Sequence, residues 1–155
     1  MAQSNNAQNT SRRQFLQQTG SIAAGATILG LSVPAVHAAE DNTIRLALIG
    51  CGGRGTGAVG NALATKDQGP IKLYAAADLD AVRMDSAIAT LARKFEGQVD
   101  VTNDRKFLGF DAYKQAIDIL RPGDVALCTT RAYIRPVHVE YAVSKGINVF
   151  MEKPF

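Results

Sequence analysis

The sequence predicts an α/β fold, a doubly wound parallel sheet, and three observations predict it. Short continuous apolar runs recur along the chain, amphipathic segments with helical spacing separate them, and the connections are short. Continuous rather than alternating apolar runs are what strands buried on both faces require. In order, Ile44–Ile49 is the first expected strand and ends in glycines, followed by a small-residue helix over 56–64. A second strand over 71–77 ends at Asp78, and 99–101 is expected as a short third strand. Between them Met84, Ile88, Leu91 and Phe95 recur at helix spacing, with Asp80 as the N-cap. Tyr113, Ala116, Ile117 and Leu120 repeat the pattern behind Asp111, and Pro122-Gly123 ends that helix. Residues 125–129 form the fourth strand. Pro136 suits the first turn of the next helix, Gly146 its C-terminal cap, and 147–151 the fifth strand.

Composition narrows the function classes. With 46% hydrophobic and 20% charged residues, the chain is globular rather than disordered. Two cysteines cannot staple a disulfide scaffold, and zinc-ligand spacings are absent, so no metal site is expected. The aromatic content of 6% without tryptophan argues against stacking platforms for single-stranded nucleic acid. A net charge of +3 gives little reason to expect nucleic acid as a partner.

Residues 1–38 read as an address. Ser11-Arg12-Arg13-Gln14-Phe15-Leu16 follows a polar start and precedes an apolar run over 22–33, too short for a typical transmembrane helix. Pro34 breaks the run, and Val36-His37-Ala38 offers small residues for a signal peptidase, leaving a mature chain over 39–155. The segment resembles a twin-arginine export signal, with Gln17 where lysine is frequent. That resemblance implies the twin-arginine export machinery as partner and a periplasmic or exported location, membrane-tethered if the leader stays uncut. It also implies export of a folded protein with its cofactor loaded. An ordinary N-terminal helix with two surface arginines is the competing reading. Without Arg12 and Arg13 the net charge falls from +3 to +1.

The chemistry begins at Gly50-Cys51-Gly52-Gly53-Arg54-Gly55, a Gly-x-Gly-x-x-Gly pattern between an expected strand and an expected helix. Gly50 permits the tight turn, Gly52 lets the backbone approach a pyrophosphate, and Gly55 allows close helix–strand packing. The helix N-terminus offers free N–H groups and a positive dipole end. Asp78 lies 23 residues after Gly55, at the end of the second strand. A carboxylate there accepts from a ribose 2′-hydroxyl and repels a 2′-phosphate, so the expected cofactor is NAD rather than NADP. Gly53 belongs to the same loop, and Arg54 either touches the pyrophosphate or is solvated. This is a Rossmann-type, dinucleotide-binding arrangement.

Four later stretches carry a family resemblance: Phe107 to Tyr113, Asp124 to Thr130, Ile134 to His138, and Gly146 to Pro154 with its Glu152-Lys153-Pro154 ending. With the glycine loop they resemble the N-terminal half of the Gfo/Idh/MocA oxidoreductases over 43–155, and the leader resembles the exported branch of that family. The resemblance implies that Lys153 is the catalytic lysine that orients a substrate hydroxyl. It implies that Glu152 lies beside the nicotinamide ribose, that Thr129 and Thr130 line the nicotinamide side, and that Pro154 holds the turn, often through a cis peptide. It further implies a sugar or polyol substrate, a homo-oligomer at full length, and a chain truncated before the last strand and a C-terminal substrate domain. Arg131-Ala132-Tyr133 departs from the family pattern. His138 matches a family histidine or is simply packed. Cys51 and Cys128, on strands expected to be neighbours, either pair after export or remain buried thiols. The leading expectation is an NAD-dependent oxidoreductase of which this chain is the cofactor-binding half. The alternatives are an NAD-using glycosidase of the same superfamily and a non-catalytic nucleotide-binding or sensor protein.

Overall fold

The computed structural model describes residues 41–154, and the expected leader with its cleavage site lies outside them. Five strands, β1 (Ile44–Ile49), β2 (Ile71–Asp78), β3 (Lys106–Leu108), β4 (Val125–Cys128) and β5 (Asn148–Met151), form one parallel sheet. Its order is β3-β2-β1-β4-β5. The sheet therefore grows one way from β1 through β2 and the other way from β1 through β4, a reversal that opens a crevice at the strand ends. Four helices cover it: α1 (Gly53–Leu63), α2 (Ala81–Lys94), α3 (Ala112–Asp118) and α4 (Arg135–Ser144). This is a Rossmann-like α/β architecture.

Alternation along β1 builds both cores. Leu46 and Leu48 face α1 and α2, where Val59, Leu63, Met84 and Leu91 pack with Leu73 and Leu127. Ala47 lies on the opposite face with Ala75 and Ala77, against Ala112 and Ala116 of α3. Alanine on both sides lets α3 lie close to the sheet. Ile49, Ala126 and Cys128 pack with Tyr113, Ile117 and Ala142 between α3 and α4.

The helix ends follow local chemistry. Asp80 caps α2, its side chain accepting from the Arg83 N–H at 3.1 Å. Asp111 occupies the corresponding position of α3 without capping it: its backbone has ψ 3° rather than the extended value of a capping residue, and its carboxylate meets Lys114 at 2.8 Å. Pro136 sits in the first turn of α4, and Gly146 after that helix has a left-handed φ of +71°. Helix α1 starts at Gly53, three residues before the expected 56, so Gly55 lies inside its first turn.

The expected third strand over 99–101 is corrected. Val99 makes a single parallel bridge to Leu73, and the third strand is Lys106–Leu108 beside Ala76, Ala77 and Asp78. On its other edge β2 slips in register against β1, so that Leu46 faces Leu73 but Ala47 faces Ala75. The residue left over, Tyr74, lies between the Arg45 and Arg105 guanidinium groups, 4.6 and 3.9 Å from its ring centre. Arg105 is fixed there by Asp100 and Thr102, and the 3₁₀ turn Asn103–Arg105 interrupts the pairing before it restarts.

Candidate functional site

At the strand-order reversal the C-terminal ends of β1 to β4 surround a cleft of about 310 Å³. Gly50 and Gly52 bound it after β1, Asp78 and Leu79 after β2, Phe110 after β3, and Thr130 and Tyr133 after β4. Tyr113 and His138 also line it.

The glycine loop owes its shape to missing side chains. Gly50 has φ +95°, and a Cβ there would meet Thr130 at 3.0 Å. At Gly55 a Cβ would strike the Gly50 carbonyl and come within 2.5 Å of Thr129 Oγ1. Gly52 and Gly53 differ: nothing lies within 4 Å of a Cβ at either position, so the space before them is open. Helix α1 has no side-chain cap and no acidic residue in its first turn. Its first N–H groups are therefore left for an anion, with the positive end of the helix dipole behind them.

Two side chains hold this backbone from opposite strands. Thr129 Oγ1 donates to the Gly50 carbonyl at 2.7 Å, tying the loop to the end of β4. Asp78 Oδ2 accepts from the Cys51 N–H at 2.6 Å, and its Oδ1 accepts from the Asp80 N–H at 3.0 Å. The Asp78 carboxylate thus sits where the sequence predicts, lining the cleft, and also anchors the loop. Arg83 lies 3.5 Å from Asp78 Oδ1 and 3.5 Å from Asp80 Oδ2. Thr130 Oγ1 shares a 3.1 Å hydrogen bond with His138 Nδ1. The His138 ring stacks on Tyr113 with centroids 4.3 Å apart, and burial pushes its pKa below the usual value.

Glu152 and Arg54 do not join this cleft. They meet each other, Arg54 Nη2 donating to Glu152 Oε1 at 2.7 Å, beside a second hollow of about 540 Å³ between α1 and β5. That hydrogen bond, reinforced by the guanidinium charge, lowers the Glu152 pKa and raises that of Arg54. Arg54 is thus largely exposed yet ion-paired. Lys153 follows on the exposed surface, and the Lys153–Pro154 peptide is cis.

Cys51 and Cys128 are both free and buried. Burial pushes each thiol up to about 12, with the Asp78 charge adding to the effect at Cys51, so neither is a nucleophile near neutral pH. Among the described residues no group of three His, Cys, Asp or Glu side chains is placed to hold a metal ion.

Sequence reasoning gave no role to Arg135. Its side chain, only 4% exposed, donates to the carbonyls of Thr130, Glu152 and Pro154, joining the ends of β4 and β5. The signal was there: Arg135, His138 and Ala142 recur at helix spacing and form the buried face of α4. Comparison of the chain with protein-family models, curated proteins and solved structures finds no match.

Proposed function

We propose that this chain is the cofactor-binding half of an exported, NAD-dependent oxidoreductase acting on a sugar or polyol hydroxyl. One observation carries the reading: at the strand-order reversal Gly50, Gly52 and the Asp78 carboxylate border a single cleft, and Gly52 leads directly into a helix N-terminus with no side-chain cap. These residues fit a dinucleotide. The N–H groups of Gly52, Gly53, Arg54 and Gly55 would hold the pyrophosphate, and Asp78 Oδ1 would accept from the adenosine ribose. The same carboxylate disfavours a 2′-phosphate. Thr129 and Thr130 support the loop from behind, and Glu152 and Lys153 follow β5 on the far side of β4.

Bound NAD would supply the hydride acceptor. The chain's own contribution at the reacting end is Lys153, whose ammonium would donate to the substrate hydroxyl oxygen and stabilise negative charge developing there. Glu152, held ionised by Arg54, would lie beside the nicotinamide ribose. The remaining acid–base group would come from a C-terminal substrate domain. The twin-arginine pattern at Arg12-Arg13 supports export to the periplasm, and a homo-oligomer is the proposed full-length state.

Calorimetry with NAD and NADP tests the cofactor. NAD binds and NADP binds about tenfold more weakly, a difference of about 1.4 kcal/mol. Binding of neither dinucleotide overturns the reading, and tighter binding of NADP overturns the role given to Asp78.

A further inference from the structure

Arg135 carries a permanent charge, is 4% exposed, and has no carboxylate within ion-pair distance among the described residues. Burying such a group is costly, and an apolar side chain in the first turn of α4 could fill the same space. What only a planar guanidinium does there is grip several carbonyls at once. Nε and Nη2 donate to the Thr130 carbonyl at 3.2 and 2.6 Å. Nη1 donates to the Pro154 carbonyl at 2.8 Å and to the Glu152 carbonyl. Glu152 and Pro154 flank Lys153, whose own side chain is exposed.

We propose that Arg135 is the positioning residue for Lys153: it fixes the backbone on both sides of the lysine against the end of β4, so that the ammonium group projects from a rigid turn. The inference rests on the proposed NAD site and names a residue that reading does not use. A flexible lysine on a loose turn would spread its charge over many positions, whereas a clamped turn restricts it to a few.

The test is modification of surface amines by trinitrobenzenesulfonate, mapped by mass spectrometry, on the full chain with and without saturating NAD. In the wild-type chain NAD slows labelling of Lys153 by about fivefold, because in the proposed complex the rigid turn presents the lysine to the bound nicotinamide. Arg135→Lys and Arg135→Gln keep the NAD Kd within about threefold, because the glycine loop is untouched, yet Lys153 labels with NAD bound as fast as without it. Protection that persists in both variants overturns the proposal. Wild-type chain that binds NAD without protecting Lys153 also overturns it and leaves the cofactor site standing. Failure to bind NAD at all overturns the cofactor reading and the clamp with it. If neither variant folds, the wild-type chain decides by nitrogen-15 NMR. Slowly exchanging Arg135 guanidinium signals that shift on NAD saturation support the clamp, and signals unmoved by NAD overturn it.

Discussion

The two sides of the crevice are built by opposite means. On the β1–β2 side the backbone is shaped by what is missing: no side chain fits at Gly55, and Gly50 takes a conformation few others adopt. On the β4–β5 side it is shaped by what is added, a buried guanidinium that gathers three carbonyls. Both devices consume carbonyl oxygens. Thr129 takes that of Gly50, and Arg135 takes those of Thr130, Glu152 and Pro154. A loop that is to receive an anion must keep free the N–H groups at the helix start, so its supports take the Gly50 carbonyl and the N–H groups of Gly50 and Cys51 that precede it. A turn that presents a side chain has no such restriction and can be gripped on either side of that residue.

The sharpest way to break this comparison is to add volume where the loop has none. Gly55→Val should cost about 3 kcal/mol of stability in urea unfolding and abolish NAD binding, because its branched Cβ collides with the Gly50 carbonyl. Stability unchanged from the parent would show that the loop tolerates the side chain. Removing the carboxylate support comes next. Asp78→Ala leaves the Cys51 and Asp80 N–H groups without their acceptor and should cost about 2 kcal/mol, whereas Asp78→Asn, which keeps an acceptor, should cost less than half as much. Equal losses in the two variants would mean that charge rather than hydrogen bonding holds the loop.

A smaller effect comes from His138 on the wall under Thr130. Burial lowers its folded-state pKa from 6.5, so below that pH the unfolded chain binds the proton more readily than the folded one. Stability should therefore fall as pH drops from 6.5 towards the lower folded value. That component should vanish in His138→Gln, as read from urea midpoints across pH. The smallest effect belongs to the Arg54–Glu152 pair. Because Arg54 is largely exposed, Arg54→Ala should leave the urea midpoint at neutral pH unchanged. The Glu152 titration followed by NMR should instead move up towards 4.5, since the hydrogen bond that lowers it is gone. The pair is present above that pH and lost as pH falls through the depressed value.

The glycine-loop side was legible in the sequence because its signals are local. A strand, three glycines at fixed spacing, and an acid at the end of the next strand all lie within 44–78. The third strand was misread because alternating valines at 99 and 101 look like a strand. The pairing at Val99 stops after one bridge, and the 3₁₀ turn Asn103–Arg105, with Arg105 held by Asp100, Thr102 and the Tyr74 ring, precedes its resumption at Lys106–Leu108. Helix spacing places Arg135 on a buried face, but its role left no trace because its acceptors are backbone carbonyls, which every residue carries. Arg54 and Glu152, 98 residues apart, were both singled out, yet nothing in either segment predicts that they meet.

The bracing of the glycine loop has a thermodynamic consequence. The Gly50 N–H is held by the Ala77 carbonyl, the Gly50 carbonyl by Thr129, and the Cys51 N–H by Asp78. A backbone tied at three points has little conformational entropy left to surrender when a ligand arrives. Association at this loop should proceed without a slow ordering phase, as in docking to a preformed mould, and the heat released should come from new contacts rather than from folding of the loop.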